Sequence, residues 1–445
     1  MSKPESGIYD ARTLGMPKML MLGLQHMFAM FGATVLVPAL TGLSVSATLL
    51  FAGLGTLLFH FLTKGKVPAF LGSSFAFIGG YAAIAPGGDR ELLPYACLGV
   101  VGAGVLYFVL AGLISIFGQK KVMRFFPPIV TGPIIISIGL TLSSSALDNC
   151  KTNWGVALVA IIIVILCNVY GKGMVKFIPI VLGVIGSYSL AAILGEVDFT
   201  AVKEAAWIGT PIDMDNTVFA LFKNPDKSLI FTSLITIMPI ALATMVEHIG
   251  DISAISSTTG RNFIEDPGLN RTLMGDGAAT ILASLFGAPA NTTYGENTGV
   301  LSLTKVYDPA VVRLAAMFAI VVSLSPKFAA LIASMPAATV GGVSIVLYGM
   351  ISAVGVRNLV ENRIDFSTSR NLIIAALILG LSIGISYSGS ISFEVGSVTI
   401  SLSGLAVGAL TGIILNAFLP LAEREYTGLN KDYKNEEDRL EEKKV

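Results

Sequence analysis

Runs of mostly apolar residues, each long enough to cross a bilayer, fill this chain almost end to end, and the charges stand in the gaps between them. A helical crossing takes about 20 such residues. Candidates stand near 17–40, 45–63, 92–117, 125–146, 154–170, 176–195, 228–251, 269–287, 309–334, 336–355, 370–388 and 399–421. Two further stretches, 67–85 and 289–304, are apolar overall but broken in their first halves by Pro, Gly, Ser, Thr and Asn. Counting both predicts fourteen crossings in an all-α polytopic membrane protein. Only 13% of the 445 residues are charged, against roughly 25% in a soluble domain. Helical spans this apolar suit an inner, plasma-type membrane and exclude an outer-membrane barrel.

Orientation follows from the basic residues, which collect in short cytoplasmic loops. Lys64 and Lys66, Lys120, Lys121 and Arg124, Lys172 and Lys176, Arg261 and Arg271, Lys305 and Arg313, and Arg357, Arg363 and Arg370 all fall on one side. Arg12, Lys18 and the charged tail from Glu423 to Val445 join them, so both termini are expected in the cytoplasm. The other side carries Arg90, Lys151 and Lys327, with Lys203, Lys223 and Lys227 in or beside one longer loop, 197–227. No apolar leader with a small-residue cleavage site opens the chain. Cys97, Cys150 and Cys167 have neither metal-like nor disulfide-like spacing and read as small apolar helix residues. No cofactor and no nucleic-acid partner is expected.

The longer loop separates two similar halves. Pro68 stands seven residues before Phe75, and Pro289 seven before Glu296; Phe126-Pro127 precedes Gly132 at the spacing by which Met335-Pro336 precedes Gly341. Seven crossings per half is an odd number, so the second copy is inverted relative to the first. The expected division is a first repeat, 15–196, a loop, 197–227, a second repeat, 228–422, and a tail, 423–445. Inverted repeats with broken helices in matching places point to a secondary transporter with its site near the midplane.

Two clusters carry the candidate chemistry. In Met245-Val246-Glu247-His248-Ile249-Gly250-Asp251, the carboxyls of Glu247 and Asp251 are four residues apart and share a helix face. In a low dielectric two such groups resist double ionisation, so one is driven to hold a proton near neutral pH. A proton-coupled carrier needs such a group; the alternative is that Asp251 is solvated at a helix end. His248 projects elsewhere, where packing or capping competes with a part in proton handling. The second cluster is Asn291-Thr292-Thr293-Tyr294-Gly295-Glu296-Asn297-Thr298-Gly299, whose polar, β-branched start favours extended chain before a short helix from Glu296. Irregular backbone at this depth must be buried in protein or line a cavity, and its free amides with the positive helix end can bind carbonyl oxygens. Gly72-Ser73-Ser74-Phe75 is its counterpart in the first half. Close packing of small residues between helices is the competing explanation for Gly72 and Gly299.

Glu296-Asn297-Thr298-Gly299, with Thr304-Lys305 following, resembles the signature motif of the nucleobase/ascorbate transporters. Gln25-His26, Gly72-Ser73-Ser74-Phe75, Glu247-His248 and Tyr294-Gly295-Glu296 resemble the bacterial uracil permease branch, and the likeness runs over about residues 15–420. The resemblance implies two inverted seven-span repeats. Parts 15–118 and 228–335 would form a core, and parts 119–196 and 336–422 a gate. It also implies proton-coupled uracil uptake by an elevator-like motion, in a homodimer. By the same resemblance Glu247 accepts from the pyrimidine N–H groups, the amides of Phe75 and Gly295 donate to its carbonyls, and Glu296 completes the polar frame. Ser74 lies in the same stretch, Phe75 and Tyr294 add ring contacts, and Tyr348 closes the site. Some uracil-type members carry a His where Asp251 stands, which is thought to help relay the proton. Its absence leaves two readings, Asp251 in that role or Glu247 alone. Purine-transporting members tend to have Gln in place of Glu296, so a xanthine or uric acid symporter is the runner-up. An intramembrane enzyme is disfavoured: no His-Glu-x-x-His pair occurs, and Gly275-Asp276-Gly277 lacks a convincing carboxylate partner. Without a Gly-x-x-x-x-Gly-Lys-Ser/Thr loop, ATP-driven pumping has no support.

Overall fold

The computed structural model of the protein describes residues 7–176, 178–223, 225–389, 391–395 and 398–420, with backbone alone at Met174, Glu296, Leu303, 393–395 and 398–401. The tail from Glu423 to Val445 lies outside the described residues. The first half runs through α1 (Met16–Thr41), α2 (Val45–Leu62), strand β1 (Leu71–Ser73), α3 (Ile78–Ile84), α4 (Leu93–Phe117), α5 (Gln119–Met123), α6 (Pro128–Cys150), α7 (Trp154–Tyr170) and α8 (Pro179–Ile193). A connection containing α9 (Thr200–Glu204) leads to α10 (Lys227–Ile237), α11 (Ala241–Thr259) and α12 (Leu269–Leu285). Then follow strand β2 (Asn291–Thr293), α13 (Glu296–Thr304), α14 (Pro309–Ser323), α15 (Pro326–Ala333), α16 (Ala337–Glu361) and α17 (Ser369–Ser388). The hairpin β3 (Ile391–Val395) and β4 (Val398–Leu402) precedes the final α18 (Gly404–Phe418). Among the described residues seven helices are long and apolar enough to cross a membrane, taking α10 and α11 together, and eight if α14 and α15 count as one. The protein is a mostly helical, multi-pass membrane protein.

The polar residues between apolar runs act as helix starts. Ser44, Asn153, Asp226, Asp308 and Ser403 each accept a hydrogen bond from a first-turn amide of the helix they precede. Four runs differ from the sequence expectation: 399–421 opens in strand β4 and is helical only over Gly404–Phe418, 336–355 continues as helix to Glu361, and two more differ at named polar residues. The run ending at residue 251 continues as helix to Thr259, because Ser253, Ser256 and Thr259 satisfy their hydroxyls on the carbonyls of Ile249, Ile252 and Ile255. The run 309–334 is instead two helices bent by 87°. The bend falls where Ser325 caps a new helix that opens on Pro326.

Helices α1, α2, α4, α10, α12 and α14 pack mainly on one another, and α6, α7, α8, α16, α17 and α18 form a second group. Within each group glycines let backbones approach, as expected where lipid supplies no hydrophobic drive between helices. A Cβ on Gly277 of α12 would stand 2.9 Å from the Gly104 carbonyl of α4, and one on Gly355 of α16 would stand 2.8 Å from the Gly132 carbonyl of α6. Along the seam between the groups lies an apolar cavity of about 480 Å³ bordered by Phe28, Phe31, Val181, Tyr188 and Phe328. The Tyr188 hydroxyl bridges it to Ser334 Oγ at 2.7 Å.

Candidate functional site

Pro68 and Pro289 lack the amide a helix interior needs, and both chain segments after them run extended. They meet as an antiparallel pair with Leu71 opposite Thr293, Gly72 opposite Thr292 and Ser73 opposite Asn291. The ladder extends at both ends: Tyr294 N–H donates to the Phe70 carbonyl and Ser74 N–H to the Ala290 carbonyl, each at 2.9 Å. Two strands this short cannot satisfy their outer edges alone, so side chains do it. The Thr56 hydroxyl accepts from Leu71 N–H at 2.9 Å, Thr280 donates to the Asn291 carbonyl at 2.9 Å, and Asp276 Oδ1 accepts from Thr293 N–H at 2.9 Å. The crossing is thus non-helical backbone sealed inside protein. Gly72 permits it: a Cβ there would lie 2.6 Å from the Tyr294 ring and 2.7 Å from the Thr34 hydroxyl.

From this crossing the chain re-enters helix on both sides. A tight turn at Phe75–Phe77 leads into α3, and Glu296 opens α13. The first amides of each helix lack intrahelical acceptors. Phe75 is buried, and its ring meets that of Tyr348 edge-on at 5.7 Å, so the first group of helices touches the second here. Ser74, also buried, is held through its amide to Ala290. Tyr294 turns inward: its ring covers Gly72 and its hydroxyl donates to the Ser73 carbonyl at 2.7 Å, which braces the strands from behind.

Glu247 and Asp251 both lie in the middle of α11, half-buried, with two further turns of helix beyond Asp251. A Cβ built on Gly295 would stand 2.9 Å from Asp251 Oδ1, so this carboxyl reaches the start of α13 and is not at a solvated helix end. The Glu296 side chain lies outside the described residues. Asn297, next along α13, donates from Nδ2 to the His26 carbonyl at 3.2 Å and contacts His26 Nδ1 at the same distance, tying α13 to α1. No group of histidines, cysteines and carboxylates among the described residues is arranged to hold a metal.

The structure adds Asp276, which sequence reasoning set aside for want of a carboxylate partner. Its partner is a histidine. Asp276 and His248 are both fully buried, with His248 Nδ1 3.3 Å from Asp276 Oδ2 and 2.9 Å from Thr293 Oγ1. The signal available was the aspartate itself, standing within an otherwise apolar run between two glycines.

A model of a family described as the Permease family matches residues 17–391. The uracil permease of Bacillus subtilis (strain 168) is 39% identical over 424 residues, covering 92% of this chain and 94% of that protein. The uracil permease of Bacillus caldolyticus is 40% identical over 429 residues, covering 94% of this chain and 96% of that protein. The transmembrane domain of a cyanobacterium bicarbonate transporter, BicA, superposes with a TM-score of 0.57 at 16% identity over 93% of this chain and 99% of that one, a likeness of fold alone.

Proposed function

The chain belongs to a family of permeases, not of enzymes, and we propose that it imports uracil together with a proton across a bacterial plasma membrane. The observation that carries this reading is the crossing of two broken spans beside the mid-helix carboxylates Glu247 and Asp251, with Tyr348 facing Phe75 from the opposite group. Uracil alternates N–H donors with carbonyl acceptors, so it needs carboxylate oxygens and amide donors in turn. Glu247 accepts from the pyrimidine N–H groups, the amides of Phe75 and Gly295 donate to the carbonyls, and Glu296 completes the frame. Phe75 contacts the ring, Tyr348 covers it, and Ser74 and Tyr294 hold the strands that present the amides. Glu247 is also the proton site, with Asp251 beside it.

Fourteen crossings in two inverted repeats account for the order of elements. Each half then contributes six helical spans and one strand-then-helix span, β1 with α3 or β2 with α13. The two packing groups support a core from 15–118 and 228–335 and a gate from 119–196 and 336–422, which slide past one another as an elevator in a homodimer. Two sets of contacts support both termini on the basic, cytoplasmic side. Ile8 N–H donates to the Lys305 carbonyl at 2.7 Å, and Asn416 Nδ2 donates to the Arg124 carbonyl at 3.0 Å.

Substrate identity is tested by loading proteoliposomes with uracil and following entry of radiolabelled uracil by exchange. Unlabelled uracil outside should suppress the signal and xanthine should not; suppression by xanthine moves the assignment to a purine carrier. In the same assay Glu296→Gln is expected to lower uracil affinity by about tenfold, since an amide replaces a charge-assisted acceptor. It should also admit purines, and unaltered affinity and selectivity would remove Glu296 from the site. Asp251→Asn is expected to change the pH profile of uptake, whereas an unchanged profile would return Asp251 to a structural role.

A further inference from the structure

We propose that His248, the residue after Glu247, and Asp276 form a second proton-holding pair against Thr293 of the strand crossing, a role resting on the proton-coupled reading above. The hydrogen-bond chain fixes which atoms matter. Asp276 Oδ1 accepts from both the amide and the hydroxyl of Thr293, at 2.9 and 2.8 Å. With the only Thr293 hydroxyl proton committed there, His248 Nδ1 must carry its own proton and donate it to Thr293 Oγ1, 2.9 Å away. Its distance of 3.3 Å from Asp276 Oδ2 is an ion-pair contact, not an aligned hydrogen bond. The remaining ring nitrogen, Nε2, is therefore the basic one. It is buried and has no hydrogen-bond partner among the described residues.

Charge then decides what this arrangement does. With His248 neutral, the pair carries the full negative charge of Asp276 in a place with no solvent exposure at either side chain. A buried charge without a compensating one is expensive. Adding one proton at Nε2 makes an imidazolium–carboxylate pair of zero net charge and leaves every existing hydrogen bond in place. The groups around the pair offer no other neutralisation. Tyr107 of α4 stands edge-on to the His248 ring at 6.5 Å and donates its hydroxyl to Thr244. Phe59 of α2 stands edge-on at 6.4 Å, and His60 is turned to the Ala69 carbonyl. On α11 the titratable groups within one turn of His248 are Glu247 and Asp251. No lysine or arginine among the described residues pairs with Asp276.

Gly275 and Gly277 explain why the pair is sealed. A Cβ at Gly275 would meet the Phe59 ring at 2.6 Å, and one at Gly277 would meet Tyr107 Cβ at 2.6 Å. Both rings close over His248 because both glycines let them. The other two histidines lack this design: His26 faces the Asn297 amide and His60 a backbone carbonyl, with no carboxylate described beside either. His248 also stands next to Glu247 in sequence, and Thr293 lies two residues before Gly295. The pair is thus tied by Thr293 to the strand that leads to Gly295, and by the backbone of α11 to Glu247.

The test compares wild type, Asp276→Asn and His248→Asn in proteoliposomes, each measured for uracil exchange at equal pH and for uptake driven by an inward proton gradient across a range of pH. Asp276→Asn keeps an acceptor for Thr293 and removes the charge. His248→Asn keeps a donor near the Nδ1 position and removes the titrating nitrogen. The expected result is that the ratio of gradient-driven uptake to exchange falls by at least about tenfold in both, a tenfold being the worth of one pH unit for one coupled proton. The uptake profile should also lose one titration component that Asp251→Asn retains. Exchange-competent variants with the wild-type ratio and an unshifted profile overturn the pair while leaving the symport reading intact. A wild type indifferent to the gradient overturns both. Should Asp276→Asn fail to fold, His248→Asn decides.

Discussion

Glu247→Gln is expected to abolish uphill uracil uptake. The substitution keeps the shape of the side chain and one oxygen acceptor, so α11 and its contacts remain. Two things are lost. A hydrogen bond to a charged group contributes about 1.5–3 kcal/mol, against about 1 kcal/mol for a neutral pair, so affinity should fall roughly tenfold. The second loss is larger, because a carboxamide cannot take up a proton at any working pH, so the proton that loads beside the substrate is lost even with the His248–Asp276 pair intact. Asp251 cannot replace it, since a side chain one turn along the helix meets Gly295 and not the same point in space. Uptake against a gradient is the readout, with exchange measured alongside. Accumulation by Glu247→Gln at wild-type level would show that the proton travels elsewhere.

Gly72→Val is expected to remove uracil binding altogether while leaving the protein inserted. Valine favours extended chain, so the strand itself does not object. The obstacle is space. The first added carbon would already stand 2.6 Å from the Tyr294 ring. Tyr294 cannot retreat without surrendering its bond to the Ser73 carbonyl. Overpacking of this kind costs about 1–3 kcal/mol, and the cheapest relief is to part the two strands that carry the Phe75 and Gly295 amides. A shift of an ångström there disorganises every donor in the frame at once. Gly79→Ala is the control: it lies one helical turn beyond Phe75, on α3, and an added Cβ meets nothing within 4 Å. Equal binding by Gly72→Val and Gly79→Ala would mean that the strand crossing does not position substrate.

The places where sequence reasoning succeeded and failed have physical reasons. Proline before a polar, β-branched stretch removes helix and favours strand, so the broken character of 67–85 and 289–304 was legible at Pro68 and Pro289. The pairing of Gly72 with Thr292 was not, because three-residue strands carry no register signal beyond what their neighbours impose. Small polar residues mislead when hydropathy alone sets a helix end: Ser253, Ser256 and Thr259 look like a loop and act as helix because their hydroxyls bond back to the preceding turn. That continuation moves Asp251 from a helix end to its middle. Asp276 was visible as an isolated acid in an apolar run. Its partner is a histidine 28 positions earlier in the chain (276 − 248), and no sequence pattern ties the two. The bend after Ser323 went unread because Ser325-Pro326 is a helix start embedded in an otherwise apolar stretch.

The most direct measurement is radiolabelled uracil uptake into proteoliposomes of the wild-type protein, with and without an inward proton gradient. Symport at this site predicts transient accumulation above the outside concentration, scaling by about tenfold per pH unit for each proton carried, and its collapse on adding a protonophore. Uptake that only equilibrates, at a rate indifferent to the gradient and the protonophore, would contradict the account and leave the protein an uncoupled uracil carrier.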